Sequence, residues 1–394
     1  MALTLRQTPI RFVITLLGVA GALSLTGCGG FFQCEGKTDC PSTGTGTSGT
    51  DSGDYAYISN NSTNADDLSV YDVSAGALNA LTSSPISLGY IPNAMVINPA
   101  NTIMFVSNPA ASVINAYTIS SAGALSGGNA VAPQIATAMA ISPDGEYLYV
   151  LDLTSAGSVL DVYAIGTNGT LTAASATGDV LPLLGTTTTG ASIAVGPTGS
   201  NYLVVTLGTA GDVIVPLSND QLTGTAPVTI TFTGPNADVS ADNGAAIDSN
   251  NNIYFARTIN GSGSVAVYSV ASDGSKATSV SNTNSATGQG DHAILVAGSY
   301  LYTANEQAGT ISGFSFTSAG VLTPLTGSPY TAPTLVNALG VDNTGKYIVA
   351  SGYSQSAGTK LYTIGSAGAL TAASVATATG TATTTPVAIA MTQP

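Results

Sequence analysis

The chain contains a single histidine, His292, and the residues around it are the ones whose types could do proton chemistry. Imidazole titrates near neutral pH, so a histidine beside a ligand can take up or give a proton there. His292 stands in Gly290-Asp291-His292, ahead of Tyr302-Thr303-Ala304-Asn305-Glu306, whose last two residues offer an amide and a carboxylate. Arg257 is one of only 7 Lys and Arg residues and could orient an anion. If these groups converged, His292 and Glu306 would manage a proton while Arg257 and Asn305 held a lactone or carboxylate. Ring opening asks for little beyond that and a positioned water. The same residue types fit plainer roles: His292 packed against a carbonyl, Glu306 a solvated loop carboxylate, Arg257 a base paired with one of 21 Asp and Glu. One histidine cannot build a multi-histidine zinc or iron site, and the sequence has no Gly-x-x-x-x-Gly-Lys loop for a nucleotide. No metal and no cofactor is expected.

The elements that would position these residues repeat. An aromatic or aliphatic anchor recurs at Tyr57, Phe105, Tyr149, Val204, Tyr254, Tyr302 and Val349, at intervals of roughly fifty residues. Each lies in a short alternating segment such as Tyr147-Leu148-Tyr149-Val150, which reads as a strand. A second strand follows, centred on Tyr71, Tyr117, Tyr163, Pro216, Tyr268, Phe314 and Tyr362, and then a turn of the type Gly123-Ala124-Leu125. Four short strands per repeat of this length is the pattern of a β-propeller blade, whereas solenoid repeats are nearer half as long. No stretch offers an amphipathic helix, so the expected fold is all-β: a seven-bladed propeller with four strands per blade. Its phase predicts how the ring closes. The domain opens on the second strand of the pattern and Val387-Ala388-Ile389-Ala390-Met391 matches the last, so the C-terminal strand should complete the first blade and cover its edge.

Counted along the repeats, Ala94, Ala138, Ser192, Gly244, His292, Ala338 and Ala388 fall in one inner-strand column, six small residues and one imidazole. Small residues suit strands that converge on the axis. Asn60, Asn108, Asp152, Leu207, Arg257, Asn305 and Gly352 form a column at the end of the next strand, with Glu306 directly after it.

These residues resemble the lactonase-type seven-bladed propellers, which include 6-phosphogluconolactonase and a fungal muconate-cycloisomerising relative. The resemblance covers residues 54–394, and its more specific part is the sixth repeat. There His292 matches the histidine of a family Gly-Pro-Arg-His stretch and Glu306 the glutamate of an Asn-Glu pair, which implies catalytic or ligand-contacting roles for both. The family's Pro-Arg has no equivalent, since Gln289 and Asp291 flank Gly290. Bases able to replace the hydration of a phosphate are scarce beyond Lys37, Arg257, Lys276, Lys346 and Lys360. The expectation is a binding or interaction module that takes a small molecule or an envelope partner at the channel mouth. The alternative is a hydrolase or isomerase acting on a non-phosphorylated lactone or sugar acid.

The N-terminus speaks to location. Arg6 and Arg11 precede an apolar run from Phe12 to Leu25, short for a membrane span and suited to a signal peptide. Leu25-Thr26-Gly27-Cys28 resembles the bacterial lipobox, implying a signal peptide over 1–27, lipidation of Cys28 and an outer-membrane anchor in a bacterial envelope. Cys34 and Cys40 are expected to form a small-loop disulfide in that oxidising compartment. The run Pro41 to Gly53 has no apolar residue, so residues 28–53 read as a lipidated, loop-bearing tether and residues 54–394 as the propeller. With charged residues at 7% and a net charge of −14, the chain offers no basic footprint for nucleic acid or anionic lipid, and it reads as a monomer that meets the membrane only through its anchor.

Overall fold

In the computed structural model the described residues are 53–62, 65–133, 135–154, 157–174, 180–183, 191–230, 240–259, 261–280, 285–352, 358–376 and 385–392. All belong to the second of two units of the chain, Ser48–Pro394. The expected signal peptide, Cys28, the Cys34–Cys40 pair and the tether through residue 52 lie outside the described residues. Two short 3-10 turns, Thr167–Gly169 and Gly208–Ala210, are the only helical elements among those described.

Strands arise where β-branched and aromatic residues alternate in facing between two packed sheets. They assemble into seven antiparallel sheets, and the main path of each sheet but the first runs in sequence order. Each sheet is a blade. The inner strands of blades 2 to 7 are Met95–Ile97, Ala138–Ile141, Ala191–Val195, Ser240–Ile247, Asp291–Ala297 and Val336–Val341. The second strands of blades 1 to 7, which carry the anchors, are Tyr55–Ser62, Ile103–Asn108, Tyr147–Thr154, Tyr202–Leu207, Asn252–Ile259, Tyr300–Asn305 and Tyr347–Gly352. Every anchor is fully buried. In five blades the outermost position is divided between two short strands, as with Leu322–Pro324 and Tyr330–Thr331, which pair with different halves of Thr310–Phe316.

The inner strand of blade 1 is Thr385–Met391, from the far end of the sequence. It pairs with Tyr55–Ser62 through Ala56↔Met391, Tyr57↔Ala390 and Ile58↔Ile389. Thr392 extends the clasp: its N–H donates to the Tyr55 carbonyl at 3.1 Å, and its hydroxyl accepts from the Tyr55 N–H at 2.9 Å. The seven-bladed, four-stranded architecture and its closure by the C-terminal strand are therefore as the sequence predicts.

The blades are also sewn to one another. The Gly-x-Leu turn of one blade lies against the second strand of the blade before it. Tyr57 donates its hydroxyl to the Gly123 carbonyl at 2.8 Å, and Tyr302 repeats this on Gly368 at 2.7 Å. At Gly368, where φ is +78°, a Cβ would lie 2.4 Å from a ring carbon of Tyr300, so both the backbone shape and the close approach demand glycine. Gly76 meets Tyr347 in the same way and joins blade 7 to blade 1.

Candidate functional site

The start of each inner strand and the end of each second strand lie at the same end of the propeller, and the sequence-predicted residues gather there. In blade 6 the loop Gly288-Gln289-Gly290 is stitched to the turn that follows Asn305. The N–H of Glu306 donates to the Gly290 carbonyl at 2.7 Å, and those of Gln307 and Ala308 donate to Gln289 at 3.1 and 3.2 Å. Gly290, at φ +71°, could carry no side chain without striking Gln307. This ties the Glu306 turn to the backbone two residues ahead of His292.

Asp291 and His292 then point into different seams. Asp291 is completely buried against blade 5. Its carboxylate accepts from the Thr287 hydroxyl and the Ser264 N–H, and a side-chain amide completes the set. With its nitrogen turned toward Asp291, the orientation that satisfies every partner, Asn305 donates to Asp291 Oδ1 at 2.8 Å and to the Thr303 hydroxyl at 3.1 Å. It then accepts from the hydroxyls of Thr310 and Ser312, each at 2.9 Å. Burial pushes the Asp291 carboxyl up to about 8, against the pull of Thr287 and the Ser264 N–H. Asn305 is itself completely buried, and its amide is engaged on all sides by this network.

His292 is half-buried and reaches the other way, with Nδ1 3.0 Å from the carbonyl of Asn337 in blade 7. Glu306 is half-buried on its turn, and among the described residues no hydrogen bond or ion pair joins it to His292. Arg257 is buried in blade 5 on a strand paired with Asp242 and Ser264. Alternation along that strand places it on the face of Phe255, which packs against blade 4. The structure therefore gathers the four residues at one end of the propeller but directs them into separate seams: Arg257 toward blade 4, Asn305 toward blade 5 and His292 toward blade 7. Among the described residues no group of three or more His, Cys, Asp or Glu is placed to hold a metal ion.

The pairing also moves His292 out of the column in which the sequence count puts it. Tyr302 faces Leu295, as Tyr254 faces Ala246 and Val349 faces Gly340. Two residues earlier on the inner strand stands Ala293, so that column is small throughout, with no exception for an imidazole. His292 instead occupies the position of Asn243 in blade 5 and Asn337 in blade 7. All three lie at β-bulges, where the register slips by one residue. Asn243 makes a matching seam contact, donating its amide to the Asp291 carbonyl at 2.5 Å. Asn243 and Asn337 are site-end residues that the sequence reading did not single out, and Asp291 entered it only as a neighbour of His292. The signal of the two asparagines, an Asx residue one blade away from the histidine, becomes visible only once the bulges are known.

Comparison with known proteins agrees with this architecture. Residues 120–326 match the model of the family described as lactonase, 7-bladed β-propeller, a span that contains Arg257, His292, Asn305 and Glu306. Among solved structures, a candidate 6-phosphogluconolactonase from Bacteroides uniformis is similar over 86% of this chain and 99% of its own, with a TM-score of 0.64 and 16% identity. A second such candidate, from Bacteroides fragilis, covers 89% of this chain and 99% of its own, with a TM-score of 0.61 and 16% identity. A protein from Lactobacillus plantarum covers 86% and 99%, with a TM-score of 0.64 and 14% identity. At these identities the likeness is one of fold. No curated protein matches the sequence. The family model spans more than half of the chain, so the chain belongs to the lactonase family of seven-bladed β-propellers.

Proposed function

We propose that the propeller hydrolyses a neutral, non-phosphorylated lactone, with His292 handling the proton. The observation that carries this reading is the placement of His292. It is the chain's one imidazole, it lies inside the family span, and it is half-exposed at the inner-strand end with Nδ1 already held. His292 would take a proton from a water as the water oxygen bonds to the lactone carbonyl carbon. Collapse of the tetrahedral intermediate breaks the bond to the ring oxygen, which leaves as a hydroxyl after the proton is returned. Glu306, whose turn is tied to Gly290 two residues before His292, is the carboxylate assigned to share that proton, the adjacent Asp291 being buried in the seam with blade 5. The scarcity of bases supports a neutral substrate. Arg257 is buried, Lys276 and Lys346 are exposed, and Lys360 donates to the Ala332 carbonyl at 3.3 Å.

The test is hydrolysis of unphosphorylated sugar lactones above the spontaneous rate, repeated with His292→Ala and Glu306→Gln. A general base contributes ~10²–10⁴-fold, so loss of His292 should remove most of the turnover. Absence of turnover on every neutral lactone would end this reading. One observation favours a second reading, a binding module without chemistry: Arg257 and Asn305 are buried, and His292 turns to the Asn337 carbonyl in a different seam. A lactone or sugar acid that binds without turnover, with affinity lost in His292→Ala, is its expected signature.

The reading includes an address. A signal peptide over 1–27, acylation at Cys28 and a tether through residue 53 would hold the propeller at a bacterial outer membrane, where its ligand is a solute or another envelope component.

A further inference from the structure

His292 is held by one side-chain hydrogen bond, between Nδ1 and the Asn337 carbonyl at 3.0 Å. A carbonyl oxygen only accepts, so the bond requires the proton to sit on Nδ1. The corresponding residue of blade 5, Asn243, makes its seam bond from an amide nitrogen, a donor whose proton is not in question.

The acceptor is available for a structural reason. In blade 7 the pairing runs Val336↔Gly352 and then Ala338↔Ser351, so Asn337 is the extra residue of a bulge. A bulge disrupts the ladder locally, and here the carbonyl of the bulged residue meets His292 across the seam. The chain leading to it is held in an uncommon shape. Leu335 has φ 53°, whereas the other non-glycine residues described with positive φ are Asn and Asp, types that tolerate that region, and the small Ser112. A bulky residue there persists only when its surroundings hold it, and such strain gathers at functional sites. Gly352 supplies the opposing wall. A Cβ on it would lie 2.7 Å from both the Thr334 carbonyl oxygen and Val336 Cα.

We infer that Leu335, Asn337 and Gly352 form a positioning device that fixes His292 as its Nδ1–H tautomer and leaves Nε2 as the basic nitrogen. Nε2 makes no hydrogen bond to the described residues. Free imidazole side chains in water favour the opposite tautomer, so the protein reverses the intrinsic preference. The tautomer does not depend on what the protein does; that Nε2 serves as the base toward water rests on the lactonase reading.

Because the chain has one histidine, ¹⁵N-labelled histidine gives a single pair of ring-nitrogen signals in the full chain. With the ring neutral, the wild type should show the proton on Nδ1. Leu335→Gly and Leu335→Asn, which accept positive φ, should keep it there. Gly352→Ala, which must displace residues 334–336, should move the population toward Nε2–H and lower kcat on the lactone at least tenfold with KM changed less than about threefold. Should Gly352→Ala fail to fold, Leu335→Val is read in its place, with the same shift expected. An Nε2–H tautomer in the wild type overturns the inference, as does a folded Gly352→Ala that retains Nδ1–H. If the Nδ1–H signature is found but no lactone is turned over, the lactonase reading fails and the positioning device stands.

Discussion

Asp54 and Asp342 bring two buried carboxyl groups within hydrogen-bonding reach of each other where the last blade meets the first. Asp54 Oδ1 accepts from the Thr392 hydroxyl at 3.2 Å and the Asn343 N–H at 3.5 Å, while Asp342 Oδ1 accepts from the Tyr347 N–H at 2.6 Å. Burial, and then the charge of Asp342, pushes the Asp54 carboxyl up to about 7 from its ordinary 3.8. The ring closure therefore favours the protonated form of Asp54.

This fixes the sign of a pH effect. A carboxyl raised in the folded state binds its proton more tightly there than in the unfolded chain. Its contribution is complete below the ordinary carboxylate value and is lost as pH rises through the folded one. Stability should fall between about pH 4 and 7 on account of Asp54, and Asp291, raised to about 8, should extend the fall. Denaturant midpoints measured across that range test this. Asp54→Asn, whose amide can donate to Asp342 as the protonated acid does, should flatten the lower part of the slope. A wild-type midpoint that climbs from pH 4 to 8 would contradict the assignment.

The seams between blades predict a graded series. Gly368→Ala meets both a positive φ and the ring of Tyr300, and should cost about 2–4 kcal/mol. Gly345→Ala, with φ +65° but nothing within 4 Å, should cost only about 1 kcal/mol. Tyr302→Phe should lose about 1–2 kcal/mol by leaving the Gly368 carbonyl without its donor. Equal losses in the two glycine variants would mean that the close approach at the seam contributes nothing.

Removing residues 385–394 takes away the inner strand of blade 1 and bares the ladder edge of Tyr55–Ser62. The truncated protein should self-associate and melt well below the full chain. Light scattering and calorimetry would show it; a monomer of unchanged melting temperature would mean that the clasp is dispensable.

If Cys28 is acylated, Cys28→Ala should abolish membrane association and leave an unacylated product, while the propeller melts as before. Intact-mass measurement of the wild type decides the matter, since an unmodified mature N-terminus excludes the anchor. In the same spectrum Cys34 and Cys40 should appear oxidised to each other.

Most of the architecture is legible in the sequence because burial imposes a type on every anchor. Tyr57, Tyr149, Tyr254 and Tyr302 recur because each fills the same space between blades, and the phase of the last strand announces the clasp. The site was legible only in its residue types. The count along the sequence places His292 in a column of small residues because the turn before Tyr300 is short, with Ala297 facing Tyr300 directly. Its equivalence to Asn243 and Asn337 rests on bulges that the spacing of apolar residues does not mark. Arg257 and Asn305 read as exposed ligands by type, yet both are buried. Their environments are built by neighbouring blades distant in sequence, which a local pattern cannot reveal.

The clasp has a consequence for how the chain reaches its native state. During synthesis the strand Tyr55–Ser62 emerges early, and its inner partner Thr385–Met391 follows only after the six other blades. Pairing so distant in sequence is intrinsically slow, because the intervening loop must be ordered before the contact can form. Until then the first blade waits with one ladder unfilled, and the seam between Gly76 and Tyr347 waits with it. The closing strand thus acts as a completeness check: a chain that stops early stays open at the blade it made first, and is left to chaperones and proteases.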